Sequence, residues 1–116
     1  MPLYAPEAVT ADLAPPLWNR GGATLRRDFE EWFRSWAGPI GIETRDVHVT
    51  AVGDLAFARM SNRIHGTKTD GEASDIWVRA TVCFSKRAGE WKVTHEHVSV
   101  PFYMDGSYRA AVDLKP

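Results

Sequence analysis

Glu96 is a residue whose setting invites chemistry, though it is not the sharpest candidate in the chain. It lies in Trp91-Lys92-Val93-Thr94-His95-Glu96-His97-Val98-Ser99, a β-rich and partly alternating run. A three-residue loop, Arg87-Ala88-Gly89 with Gly in the left-handed position, pairs Lys86 with Glu90 and registers this run against Ser74 to Ser85. Val82 then faces Thr94, Ala80 faces Glu96, and Val78 faces Val98. That face is apolar except for Thr94, Glu96 and Lys92. An ionised carboxylate there is costly unless it is paired or hydrogen-bonded, and Arg59, Arg63 and Lys92 are the cations expected to meet it. Glu96 is thus either a paired structural carboxylate or a group that gives and takes a proton.

The opposite face pairs Thr81 with His95, Arg79 with His97 and Trp77 with Ser99. A slip by one residue would exchange the faces. Two histidines at this spacing can bind a metal, and His48 and His65 could join them. Spacing places no acidic or thiolate ligand beside them, so no metal is expected. Arg63 and His65 could instead line the same interior as Glu96, and alternation alone leaves their face open. Cys83, the single cysteine, reads as a buried, inert thiol among strand residues. No serine stands in a nucleophile-elbow context, and no Gly-rich phosphate loop exists. Gly21-Gly22 is a turn before a helix whose N-terminus could at most hold a small anion. No cofactor is expected.

These groups must be positioned by one helix and a set of strands. Val9 to Leu13 is a short strand candidate, stopped by Pro15-Pro16. From Ala23 to Trp36, Leu25, Phe29, Trp32, Phe33 and Trp36 recur at three- and four-residue spacing and make one apolar stripe. Arg26, Arg27, Asp28, Glu30, Glu31 and Arg34 cover the other side, and Gly38-Pro39 ends the helix. Ile42 to Val52, Leu55 to Thr67, Ser74 to Ser85 and Trp91 to Phe102 read as strands separated by turns at Gly53-Asp54, Thr69-Asp70-Gly71 and Lys86 to Glu90. The order is α+β, with the helix on one face of a long-stranded antiparallel sheet that must curl into a cone to enclose anything.

Composition sets the bounds. The 116 residues fit a single domain, 1–116, and 44% hydrophobic content suffices for one core. With a formal net charge of −1 and no basic run, nucleic acid is not an expected partner. No apolar run is long enough for a membrane span, and Met1 to Glu7 has neither the basic start nor the apolar stretch of a signal peptide. A cytoplasmic location is the expectation. Trp77, Trp91, His95 and His97 on an outward sheet face predict a homodimer or higher assembly.

Tyr4 to Leu13 is similar to the segment that follows the first long helix in ketosteroid isomerases and SnoaL-like proteins. Trp91 to Ser99 resembles the Trp-x-x-x-His-x-His-x-Ser final strand of many SnoaL-like domains, and also the association domain of calcium/calmodulin-dependent protein kinase. Asn19-Arg20-Gly21 before the helix fits the same pattern. The resemblance spans nearly the whole chain and implies the nuclear-transport-factor-two-like fold. That fold hosts isomerases, dehydratases, cyclases and non-enzymes.

The resemblance also implies site residues. Asp12, the sharpest candidate, falls where the family has its general-base aspartate, beside Leu13, Leu17 and Trp18, where partial burial would suit it to accept a proton; the other reading is that it only caps the turn before Pro15. The second, neutral acid of a steroid isomerase has no counterpart, because the matching strand reads Ala80-Thr81-Val82. Asp12 and Glu96 across one cavity would make an acid/base pair. Trp18, Phe29, Phe33, Arg59, Arg63, His65, Val82 and Val98 are the residues expected to bind substrate. The implied activity is cofactor-free proton transfer, of the isomerase, dehydratase or cyclase kind, on a small apolar molecule. The alternative is a non-catalytic ligand-binding or oligomerisation module. The family's long first helix, with its oxyanion-binding tyrosine, has no counterpart ahead of Leu3-Tyr4 and is expected to be largely absent. Its place would be filled by a partner chain, by Met1 to Leu3 folded inward, or by an apolar ligand.

Overall fold

The computed structural model describes residues 3–116. The order is β1 (Tyr4–Ala11), β2 (Asn19–Arg20), α1 (Gly22–Arg34), β3 (Gly41–Val52), β4 (Leu55–Thr67), β5 (Ala73–Arg87) and β6 (Glu90–Ser99). The strands form one six-stranded sheet in the order β2-β1-β6-β5-β4-β3. Met1 and Pro2, part of the segment expected to fold inward, lie outside the described residues. Leu3 is 54% exposed, and its carbonyl accepts the Val93 N–H at 2.8 Å.

The sheet is mixed rather than antiparallel throughout. β3 to β6 are antiparallel neighbours, whereas β1 adds to β6 in parallel, pairing Val9 with His95, Thr10 with Glu96 and Ala11 with His97. β1 also starts earlier than the sequence suggests, at Tyr4. β2 has no counterpart among the expected runs, whereas β3 to β6 agree with them to within three residues at each end. Bulges at three points bend the sheet: in β1 between Tyr4 and Val9, in β3 between Arg45 and His48, and in β6 at Thr94. Asp46, in the β3 bulge, takes the left-handed conformation with φ 57°.

The last hairpin corrects the expected register. Its loop is two residues, Ala88-Gly89, with φ of 50° and 81°, so Arg87 pairs with Glu90 and Lys86 with Trp91. The extra residue at Thr94 adds a second one-residue shift, after which Cys83 pairs with His95, Val82 with Glu96 and Ala80 with Val98. Two shifts of one restore the parity beyond the bulge. Glu96 and Val98 therefore share a face with Val82, Ala80 and Val78, as expected. On the turn side of the bulge the faces are exchanged. Trp91 stands on the side of Val93 and Phe84, not with His95 and His97.

α1 covers the face that carries Glu96, here called the inner face. Its start depends on Gly21, whose φ of 88° is readily reached only without a side chain and whose N–H donates to the Ala8 carbonyl at 2.9 Å. Leu25 and Trp36 from the apolar stripe are buried, while Phe33 at its edge is 57% exposed. The far end is stitched to the β4–β5 turn: Ala37 N–H donates to the Thr67 carbonyl at 2.8 Å and Thr69 N–H to the Ser35 carbonyl at 3.0 Å. There the Trp36 ring lies on Gly66, where an added Cβ would meet it at 2.9 Å. The core runs from Ala5, Ala8 and Leu25 through Val93, Val82, Ala80 and Val78 to Ala58. Toward β3 the same face stays open, with Ile42 63% and Val49 64% exposed.

Candidate active site

One row of residues crosses the inner face, strand by strand: Asn19, Thr10, Glu96, Val82, Ala58 and Val49. Because laterally paired residues share a face, Glu96 sits between a threonine and a valine, with Ala58 and Val49 beyond the valine and Asn19 beyond the threonine. Among the described residues its carboxylate meets no cation. Tyr4 O–H donates to Glu96 Oε2 at 2.5 Å. The bond joins residues 92 apart in the chain, and the parallel addition of β1 to β6 makes it possible.

Tyr4 is held in place by its surroundings. Its ring lies 6.0 Å from that of Phe29 on α1, tilted by 59°. Burial, the hydrogen bond to Glu96 and the negative charges of Glu96 and Asp12 push its hydroxyl well above the ordinary tyrosine range. Tyr4 therefore stays protonated and acts as a fixed donor to the carboxylate. Glu96 Oε1 has no protein partner among the described residues. The Thr10 hydroxyl, beside it in the row, is buried and also without a partner. A half-buried carboxylate with one oxygen anchored and the other open is equipped to take a proton from a bound molecule and return it.

Asp12 lies at the rim. It is exposed, as are Leu13 at 45%, Leu17 at 87% and Trp18 at 49%, so the expected partial burial does not occur. Pro15-Pro16 carries the chain outward here. Asp12 Oδ1 accepts the Leu13 N–H at 2.7 Å, a local turn contact, yet its charge reaches the Tyr4 hydroxyl.

Of the residues expected to bind substrate, the structure gathers Phe29, Val82 and Val98 on the side of Glu96. It separates the others. Arg59, Arg63 and His65 are in register with Thr81, Trp77 and Asp75 and so lie on the outer face. Strict alternation along β4 leaves them no choice once Ala58 is paired with Val82. Arg63 forms a bidentate pair with Asp75 at 2.7 and 2.8 Å, and Lys92 pairs with Glu90 at 3.2 Å, so neither meets Glu96. Trp18 turns outward, its ring 6.2 Å from that of His95. Phe33 stacks edge-on against Trp32, with ring centres 5.2 Å apart. His95 Nδ1 lies 2.6 Å from the Val9 carbonyl, to which it donates, on the outer face with His97. A hollow of about 300 Å³ lined by Glu43, Arg45, Arg63, Asp75, Trp77 and Lys115 is likewise on the outer side, away from Glu96.

Sequence reasoning missed Tyr4. The signal was present: a carboxylate on an apolar face needs a donor, and Tyr4 opens the segment that would have to lie beside the final strand.

A bent sheet with one covering helix and an acid on its covered face is the arrangement of the cone-shaped α+β domains. The model of the SnoaL-like domain family matches residues 1–103, and the chain belongs to that family. An NTF2-like protein of unknown function from Pseudomonas putida KT2440 is 35% identical over 99% of this chain and 79% of that one, with a TM-score of 0.89. An NTF2-like superfamily protein from Salmonella enterica serovar Typhimurium is 17% identical over 90% of this chain and 77% of that one, TM-score 0.75. A ketosteroid isomerase-like protein from Erwinia carotovora atroseptica is 20% identical over 84% of this chain and 75% of that one, TM-score 0.71. No curated protein matched the chain.

Proposed function

We propose that the protein catalyses cofactor-free proton transfer, of the isomerase or dehydratase kind, on a small apolar molecule held between the inner face and α1. The observation that carries this reading is the Tyr4–Glu96 hydrogen bond at 2.5 Å, on the covered face beside Val82 and Ala58. Glu96 serves as the base that moves the proton, Tyr4 as its positioning donor, and Phe29, Val82 and Val98 as the apolar wall. The test is exchange of α-protons into deuterated water for a panel of small apolar ketones and enones, followed by NMR. Catalysed exchange supports the enzyme. Saturable binding without exchange would instead make it a ligand-binding module.

Asp12 is proposed as an auxiliary acid at the rim, linked to the centre by its charge on Tyr4. Asp12→Asn keeps the acceptor for the Leu13 N–H and removes only the charge. We expect exchange to slow by about tenfold, with stability changed by less than about 0.5 kcal/mol. An unchanged rate would leave Asp12 as a turn residue.

We further propose a cytoplasmic homodimer. A cytoplasmic location fits the single free thiol, Cys83, and among the described residues no helix is long and apolar enough to cross a membrane. The aromatic contact expected from Trp77 and Trp91 is replaced, since Trp77 lies under Arg45 at 5.1 Å and Trp91 is on the inner side. The apolar outer residues are instead Val52, Leu55 and Phe57, which are 79%, 65% and 47% exposed. A two-fold contact through them would bury one patch against its own copy. Sedimentation should give a dimer at micromolar concentration and a monomer for Leu55→Ser with Phe57→Ser. A wild-type monomer would overturn this.

A further inference from the structure

The base, the Tyr4 donor and the apolar wall leave two members of the inner-face row without a role. Thr10 stands beside Glu96, and Asn19 stands beside Thr10. Side chains directly opposite on neighbouring strands lie about 5 Å apart, so all three are within reach of one small molecule laid across them. Thr10 is 4% and Asn19 8% exposed, so neither is served by bulk water. Thr10 Oγ1 and Trp36 Nε1 are the buried side-chain polar atoms without a partner among the described residues, and Trp36 lies past the far end of α1. The Asn19 amide likewise makes no hydrogen bond among the described residues.

The bonds these groups can make define what they accept. Asn19 offers N–H donors and a carbonyl acceptor, and Thr10 offers a hydroxyl that can donate. A ketone oxygen only accepts, so it would leave Asn19 Oδ1 unpaired. A carboxylate has the same fault and would set a second negative charge beside Glu96. A hydroxyl satisfies both residues: its proton goes to Asn19 Oδ1, and its oxygen accepts the Thr10 O–H. Such a hydroxyl would lie one strand away from Glu96 Oε1, the oxygen that Tyr4 leaves open.

We infer that the substrate is a β-hydroxy ketone on an apolar skeleton, and that the reaction is its dehydration. This rests on Glu96 being the base and chooses between the isomerase and dehydratase forms of that reading. The hydroxyl lies over Thr10 and Asn19, the α-carbon over Glu96, and the skeleton against Phe29, Val82 and Val98. Glu96 takes the α-proton, and the electron pair of that C–H bond becomes the α,β double bond. The C–O bond breaks, and the hydroxyl departs as water with the proton that Glu96 held. The products are an enone and water, Glu96 is again a carboxylate, and no further reactant is consumed. Because the three side chains rise from one face of the sheet, hydrogen and hydroxyl leave from the same side of the substrate.

The test uses the full chain and the aldol of acetone and benzaldehyde, whose dehydration to benzalacetone is followed by ultraviolet absorbance. Benzylacetone, which lacks the hydroxyl, and the methyl ether of the aldol are the comparison ligands. The aldol should be converted with saturation, and its methyl ether should bind about tenfold more weakly or worse, because it brings no donor for Asn19 Oδ1. Aldol carrying a single α-deuterium should lose the label that is syn to the hydroxyl. Thr10→Val and Asn19→Ala should each lower kcat/KM for the aldol, relative to α-proton exchange of benzylacetone, by about tenfold. Thr10→Ser, which restores the hydroxyl, should recover most of the Thr10→Val loss. The ether and label comparisons use the wild-type chain, so they decide even where Asn19→Ala fails to fold. Exchange of benzylacetone without water loss from the aldol, anti loss of the label, equal binding of the ether, or a ratio unmoved in both variants overturns this inference and leaves Glu96 as the base. Neither exchange nor water loss overturns the proton-transfer reading itself, and this inference with it.

Discussion

Replacing Glu96 by Gln is expected to reduce catalysed proton exchange by about a hundredfold or more while leaving the fold in place. Gln keeps the length of the side chain and an oxygen that can accept the Tyr4 hydroxyl, so the 2.5 Å contact has an uncharged replacement. What it cannot do is bind and release a proton. The loss should appear in the rate at saturating ligand rather than in the affinity, because the apolar wall of Phe29, Val82 and Val98 is untouched. Tyr4→Phe separates the two parts of the pair. The carboxylate remains but loses its fixed donor and is free to turn, so exchange should fall by about tenfold and its pH profile should move. A structural role for Tyr4 alone would leave that profile where it was. If Glu96→Gln exchanges protons at the wild-type rate, Glu96 is not the base and the proposed function fails. Circular dichroism of both variants checks that the β1–β6 junction has survived.

What the chain disclosed in advance follows from the range over which each signal acts. The stripe from Leu25 to Trp36 and the four long strands are written in local periodicity and turn residues, and they appear where expected. The face of Glu96 was legible because two one-residue shifts in the last hairpin cancel in parity. Trp91 was misplaced because it lies between them. A bulge such as that at Thr94 leaves no reliable mark in composition, since any residue can be the extra one. Arg59, Arg63 and His65 could not be assigned a face from alternation within β4, because alternation gives two faces without naming them. Only pairing with β5 decides, and it sends all three outward. Tyr4 was beyond local reach altogether. Its partner is 92 residues away, and the contact depends on a parallel pairing that no turn sequence encodes.

The largest effect on stability is expected at the other end of α1. Trp36 is 8% exposed, packs edge-on against Trp32 with ring centres 5.6 Å apart, carries Lys68 Nζ 4.2 Å from its ring centre, and rests on Gly66. A backbone bridge to Lys68 sets the ring over this turn, so removing the ring empties the packed contact that holds the helix end against the sheet. Trp36→Ala should cost about 3–5 kcal/mol, a large share of the roughly 5–15 kcal/mol available to a small domain. The midpoint of thermal unfolding should fall by about 10 °C or more. Gly66→Ala attacks the same contact from the sheet. Its Cβ would lie 2.9 Å from the ring and 3.1 Å from the Pro39 carbonyl oxygen, and the backbone oxygen has little room to yield, so a cost of about 1–3 kcal/mol is expected. Trp36→Phe provides the discriminating case. The buried indole N–H has no partner among the described residues, so losing it removes a penalty that offsets part of the lost packing. If ring and glycine form one contact, Gly66→Ala should cost measurably less in the Trp36→Phe background than in wild type, by about 0.5 kcal/mol or more in a double-mutant cycle. Strict additivity would mean that the alanine is resisted by the Pro39 backbone alone and that the tryptophan does not anchor the helix through Gly66.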